Sequence, residues 1–141
     1  MQMKDPKVIS VVDDDATVCK STALLIESFG YRTAAFQSAE SFLNFGQRQD
    51  TCCLILDVQM PGMNGLELQS QLTAEGCTFP IIFMTAFHDK ESCRHAMEGG
   101  AVALLAKPYG DEQLFETIRS ALTRDGSTEV LVQVNDDEYL H

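Results

Sequence analysis

Basic residues are scarce in this chain. It carries 10 Lys+Arg against 21 Asp+Glu, a formal charge of -11 with a pI near 4.5. Non-specific nucleic-acid binding relies on clustered Lys and Arg that displace counterions from phosphates, so this balance argues against direct nucleic-acid binding. No basic amphipathic stretch is present to meet an anionic membrane surface. The opening Met-Gln-Met-Lys-Asp-Pro-Lys-Val lacks the apolar centre of a secretory leader, and no run of about 18 apolar residues occurs. Cysteine is few and irregular: Cys19, Cys52, Cys53, Cys77 and Cys93 form an odd set without a CxxC pair. That pattern speaks against a disulfide scaffold or a zinc site and for a reducing compartment, so the expected location is cytoplasmic. There is no internal repeat and no low-complexity segment.

What is present suits one globular domain. The chain has 141 residues, 45% hydrophobic and 22% charged, enough to bury a core and too apolar for a disordered segment. The acid is unevenly spread. Residues 125–141 hold five acidic residues and no Lys or Arg, which leaves 1–124 with a net of -6. The predicted domain is therefore 1–124, followed by an acidic tail at 125–141 that is either disordered or an added edge strand. Within it, Val130, Val132 and Val134 alternate as in a strand that could pair with a sheet edge or a partner.

Short apolar runs alternate with longer amphipathic ones. Val8–Val12, Tyr31–Phe36, Cys52–Leu56, Ile81–Met84 and Ala101–Ala106 read as strands, several of them β-branched and bounded by turn formers. Between and after them, Asp15–Phe29, Ser38–Phe45, Leu66–Ala74, Asp89–Glu98 and Asp111–Leu122 read as helices. In the first helix Val18, Leu25 and Phe29, with Thr22 between, recur at helical spacing. Five strand–helix units imply a parallel sheet joined by crossover helices, an α/β domain.

In such sheets the site lies beyond the carboxyl ends of the strands. Asp13, Asp14 and Asp15 follow the first run, Asp57 the third, Thr85 and Ala86 the fourth, and Lys107-Pro108 the fifth. Taken singly, each is unremarkable: Asp15 suits a helix N-cap, and an acid at a strand end is often structural. Together they bring acid, hydroxyl and cation to one edge. Crowded carboxylates raise one another's pKa unless they share a proton or a cation. Oxygen-only donors without His or Cys suit a hard ion such as Mg2+. A site that also holds Lys107 and the Thr85 hydroxyl is arranged for phosphate, with Asp57, the lone acid at its strand tip, as the natural nucleophile.

Val11-Val12-Asp13-Asp14-Asp15, Leu54-Ile55-Leu56-Asp57-Val58-Gln59-Met60-Pro61-Gly62-Met63-Asn64-Gly65, Met84-Thr85-Ala86 and Ala106-Lys107-Pro108 occur in that order. They resemble the receiver domain of bacterial two-component response regulators, over about residues 7–124. The resemblance implies a doubly wound, flavodoxin-like three-layer sandwich of five parallel strands in the order 2-1-3-4-5. It also implies that Asp57 accepts a phosphoryl group from a phosphohistidine on a sensor histidine kinase or phosphotransfer protein. Asp13, Asp14, Asp57 and the Gln59 carbonyl would serve Mg2+, and Lys107 and Thr85 would bind phosphoryl oxygens across a cis Lys107–Pro108 bond. Phosphorylation would draw Thr85 inward and bias the face built from the fourth helix, fifth strand and fifth helix. That face would then control a downstream protein target or form a homodimer.

The chain departs from the family at Leu104, where the family commonly carries a switching aromatic residue. Phe87, two residues after Thr85, is bulky and would slow attack by water, while His88 and His95 read as surface residues. The ending, with no room for a helix-turn-helix domain after Arg124, favours a stand-alone receiver over a fragment of a longer DNA-binding regulator. A haloacid-dehalogenase-type phosphatase needs a second Asp two residues after its nucleophile, where this chain has Gln59. A degenerate receiver acting as a phosphorylation-independent binding module is the remaining alternative. The expected product is a phosphoacceptor, not an enzyme in its own right.

Overall fold

The computed structural model describes residues 8–46, 48–86, 90–123 and 131–133. In chain order the elements are β1 (Val8–Val12), α1 (Ala16–Ser28), β2 (Arg32–Phe36), α2 (Ala39–Leu43), β3 (Thr51–Asp57), α3 (Gly65–Ala74), β4 (Ile81–Thr85), α4 (Lys90–Glu98), β5 (Ala103–Ala106), α5 (Asp111–Thr123) and β6 (Leu131–Gln133), with a 3₁₀ turn at Arg48–Asp50. The first five strands are parallel and take the order 2-1-3-4-5. β6 adds a sixth parallel strand outside β5, with Ala103, Leu104 and Leu105 opposite Leu131, Val132 and Gln133.

The apolar runs are long enough to be buried on both sides, and their alternating residues build two cores. Val12, Leu54, Leu56, Phe83 and Leu104 meet Phe42, Leu68, Leu72 and Ala96 from α2, α3 and α4. Ile9, Val11, Ile55, Ile82, Met84 and Leu105 meet Ile26, Leu114 and Ile118 from α1 and α5. Two helices on one side and three on the other make three layers, as a parallel sheet requires.

Local chemistry sets the helix starts. Asp15 caps α1 by accepting from the Thr17 and Val18 amides at 3.0 and 3.1 Å. Ser38 caps α2. Asn64 and Glu67 form a reciprocal capping box that starts α3 at Gly65, one residue earlier than the hydrophobic pattern predicts. α1 is also rotated relative to the sequence reading. Its buried residues are Cys19, Thr22, Ala23 and Ile26, while Val18, Leu25 and Phe29 are half-buried at its flank. The small Cys19 and Ala23 side chains let the helix sit close on the sheet, and the Cys19 thiol reaches the Phe36 carbonyl at 3.4 Å. All five cysteines are free. No helix among the described residues is long and apolar enough to cross a membrane.

Candidate functional site

β1 and β3 are neighbours, with Val12 opposite Leu56. Their carboxyl ends therefore carry Asp13 and Asp57 to the same spot. Asp13 is fully buried and Asp57 is only 6% exposed, whereas Asp14 faces solvent. Oxygens of all three carboxylates lie within 4.8 Å of one another. Asp13 is held by the Asp15 amide, which donates to its Oδ1 at 2.9 Å. The Gln59 amide donates to Asp57 Oδ1 at 3.3 Å, while the Gln59 side chain is exposed.

β4 and β5 supply the other half of the site. Thr85 ends β4 with its side chain buried, and Lys107 follows β5. The Lys107 amide donates to the Thr85 carbonyl at 2.8 Å, which fixes the two loops to each other. The Lys107–Pro108 bond is cis. The Lys107 ammonium donates to Asp13 Oδ2 at 3.0 Å and stands 3.5 Å from Asp57 Oδ2. Asp13, Asp14, Asp57, Lys107 and Thr85 thus converge from four loops, and Gln59 borders them through its backbone.

One ammonium serves two buried carboxylates, and the balance shows in their proton affinities. Burial, opposed by Lys107 but reinforced by the Asp13 charge, pushes Asp57 up to about 6. Burial alone would lower Lys107, but its hydrogen bond to Asp13 and the charges of Asp57 and Asp13 outweigh that and raise it. The pair is thus a firmly protonated cation beside a carboxylate that is mostly ionised at neutral pH. Such a carboxylate can act as a nucleophile, and the cation can receive charge that develops on an incoming phosphoryl group.

The donor set fits Mg2+ on chemical grounds. All three side chains offer hard carboxylate oxygens, and a divalent cation would offset both the burial and the Asp13 charge that raise Asp57. Gly65 keeps this corner tight, since a Cβ there would collide with the Asp57 carbonyl oxygen, so only glycine lets α3 begin so close to the end of β3.

Leu104 is fully buried in the core shared with α3 and α4 and is not at the pocket. His95 is exposed and lies 3.2 Å from Glu91, a surface contact. Phe87 and His88 lie outside the described residues. Sequence reasoning missed Tyr109, whose hydroxyl lies 2.9 Å from the Thr22 hydroxyl and donates to Met84 Sδ at 3.3 Å. The tyrosine two positions after Lys107 was visible, but its partner lies 87 residues away. Tyr109 and Thr22 line a groove of about 520 Å³ between α1 and the loop after β5, which Lys107 also borders.

Comparison with known proteins agrees with this geometry. Residues 9–119 match the response regulator receiver domain. TodT, a response regulator protein of Pseudomonas putida, is 42% identical over 115 residues, which are 82% of this chain and 51% of TodT. The transcriptional regulatory protein FixJ of Azorhizobium caulinodans is 38% identical over 122 residues, 86% of this chain and 58% of FixJ. The chain thus spans about half the length of the curated relatives it matches. Among solved structures, the response regulator StyR superposes with a TM-score of 0.77 at 39% identity, covering 84% of this chain and 60% of StyR. The structure titled FixJ-N superposes with a TM-score of 0.77 at 33% identity, covering 89% of this chain and 99% of that one. A buried acid pair, a bridging lysine, the 2-1-3-4-5 sheet and these matches lead to one conclusion: the chain belongs to the response regulator receiver domain family, whose members are phosphoacceptors rather than enzymes in their own right.

Proposed function

We propose that Asp57 accepts a phosphoryl group from a phosphohistidine on a sensor histidine kinase or phosphotransfer protein. The observation that carries this reading is the Lys107 ammonium, 3.0 Å from Asp13 and 3.5 Å from Asp57 at the carboxyl edge of the sheet. In the transfer, an ionised Asp57 oxygen attacks phosphorus, the phosphorus–nitrogen bond breaks, and its electron pair returns to the imidazole. An acyl phosphate on Asp57 results. Lys107 stays protonated and shifts from holding the carboxylate to holding a phosphoryl oxygen. Asp13, Asp14, Asp57 and the Gln59 carbonyl are the groups to hold Mg2+, which would neutralise phosphoryl charge.

The acyl phosphate carries about -1.5 to -2 of charge where the ionised carboxylate carried -1, and the Thr85 hydroxyl gains a strong acceptor. Because the Lys107 amide is bonded to the Thr85 carbonyl, movement at Thr85 is passed to the end of β5. The output surface on this reading is the α4–β5–α5 face. Leu104 is the β5 residue in its core, and homodimerisation or a downstream protein target is its readout. The low count of basic residues supports protein contact rather than direct nucleic-acid binding by this chain. The receiver comprises residues 1–124 and acts in the cytoplasm, and the acidic tail at 125–141 adds Leu131–Gln133 as an edge strand to its sheet.

Intact mass after incubation with acetyl phosphate, with and without Mg2+, tests the core of this reading. A Mg2+-dependent gain of one phosphoryl group that Asp57→Ala abolishes is the expected result. A wild-type chain that gains nothing under these conditions overturns it in favour of a phosphorylation-independent binding module.

A further inference from the structure

We propose that Tyr109 is a positioning residue for Lys107, acting through a hydroxyl latch to α1. The proposal rests on the phosphoacceptor reading above and extends it to a group outside the acidic pocket. Lys107, Pro108, Tyr109 and Gly110 form the strap between the end of β5 and the start of α5. Its front is held by the Lys107 amide on the Thr85 carbonyl, at 2.8 Å. Its back is held by Tyr109, whose hydroxyl sits between the Thr22 hydroxyl at 2.9 Å and Met84 Sδ at 3.3 Å. A phenol has one proton, and here Tyr109 donates it to the sulfur, so Thr22 donates to Tyr109. The order Thr22, Tyr109, Met84 accounts for every proton.

Each anchor of this relay bears on the site. Thr22 is a buried residue of α1, only 4% exposed. Met84 stands opposite Asp57 in the β3–β4 register, and its carbonyl accepts from the Val58 amide at 3.0 Å. The strap is therefore tied to β4, which carries Thr85 and pairs with the strand that carries Asp57, and to the helix that follows Asp13, Asp14 and Asp15. The ammonium is on a flexible stem and reaches Asp13 and Asp57 only if the backbone at 107 is fixed. Gly110 ties the far end of the strap to α5 by accepting from the Leu114 amide at 3.0 Å, which leaves Pro108 and Tyr109 to shift between the two ends. The hydroxyl latch removes that freedom.

The test is the rate of phosphorylation by acetyl phosphate with Mg2+ in wild type, Tyr109→Phe and the double Thr22→Val, Tyr109→Phe, each also in a Lys107→Ala background. Phenylalanine keeps the ring and removes the hydroxyl. Losing one neutral hydrogen bond corresponds to a rate lower by roughly fivefold, and that is the expected effect of Tyr109→Phe. The double variant is the control for a merely structural role. Tyr109→Phe alone strands the buried Thr22 hydroxyl, whereas the double leaves two matched apolar groups, so its melting temperature should recover while its rate stays low. In the Lys107→Ala background Tyr109→Phe should cost nothing further. A rate that recovers together with stability, or a loss that persists without Lys107, overturns the proposal.

Amide hydrogen exchange at Lys107 separates this proposal from the reading it rests on. Exchange should quicken by roughly fivefold in Tyr109→Phe whether or not Asp57 takes a phosphoryl group. Unchanged exchange sinks the latch even if phosphorylation is confirmed.

Discussion

β1 and β3 bury polar groups twice, and the two places differ in kind. Away from the site, Ser10 and Thr51 face each other with their hydroxyl oxygens 2.8 Å apart, both buried. The two groups are neutral, and one hydroxyl donates to the other. Beyond the carboxyl ends of the same strands, Asp13 and Asp57 share a single Lys107 ammonium at 3.0 and 3.5 Å. Here two anions are buried against one cation, and Asp57 is pushed up to about 6 as a result. The first arrangement is what a fold does with polar atoms when stability is the only demand. The second keeps a surplus of negative charge out of water, which stability alone does not favour and which phosphoryl and metal chemistry does.

Removing the shared cation should break the contrast most severely. Lys107→Met keeps much of the aliphatic stem and leaves Asp13 and Asp57 facing each other without compensation. We expect a loss of about 2–3 kcal/mol in metal-free urea unfolding at pH 7, at the lower end of what breaking a buried ion pair costs because Lys107 is partly solvated. An unchanged unfolding midpoint would show that the two carboxylates do not depend on it. Mg2+ should act in the opposite direction. Binding the folded state alone, it should stabilise wild type by about 2.7 kcal/mol at 100 times its dissociation constant. Equal melting in Mg2+ and in EDTA at matched ionic strength would remove the metal from this site.

A smaller effect isolates Asp57 itself. Its folded pKa lies above the usual carboxylate value of 3.8, so folding disfavours its charged form. The penalty is absent at low pH, where the group is protonated in both states. It grows as pH rises from about 4 to 6 and is fully present at pH 7. Asp57→Asn should therefore be more stable than wild type by about 1–2 kcal/mol at pH 7 without metal, and the difference should vanish toward pH 4. Thermal melts of both proteins across that range measure it. A constant gap would mean that the advantage is one of packing, not of charge.

Much of this arrangement is legible in the sequence, and the reason is physical. Strands buried on both faces must be continuous apolar runs, so Val8–Val12, Cys52–Leu56 and Ile81–Met84 stand out, and an acid or hydroxyl directly after such a run stands out too. That is why Asp13, Asp57 and Thr85 could be picked from sequence. The orientation of α1 could not, because its buried face is made of Cys19, Thr22, Ala23 and Ile26, of which only Ile26 is strongly hydrophobic. Val18 and Leu25 carried a louder signal and lie at the flank. The Gly65 contact with the Asp57 carbonyl and the Thr22–Tyr109 pair are tertiary facts between separate segments, which no local pattern encodes. Leu104 stands where the family commonly carries an aromatic residue, and its full burial in the core that includes α2, α3 and α4 is what an aliphatic residue at that point of the sheet achieves instead.

The mildest perturbation tests the neutral half of the comparison. Ser10→Ala leaves the Thr51 hydroxyl buried without a partner and should cost about 1–2 kcal/mol. Adding Thr51→Val removes the stranded group and should recover most of that loss, because two apolar groups of similar shape replace a satisfied polar pair at little net cost. No such recovery is open to the charged half: replacing Asp13 as well as Lys107 still leaves Asp57, whose ionisation is then opposed by burial alone. The neutral pair should also be indifferent to pH between 4 and 7, since neither hydroxyl titrates there. Chemical unfolding of the single and double variants at both ends of that range decides the point. A pH-dependent cost for Ser10→Ala would mean that the two polar places in β1 and β3 are coupled through the sheet and cannot be treated as separate.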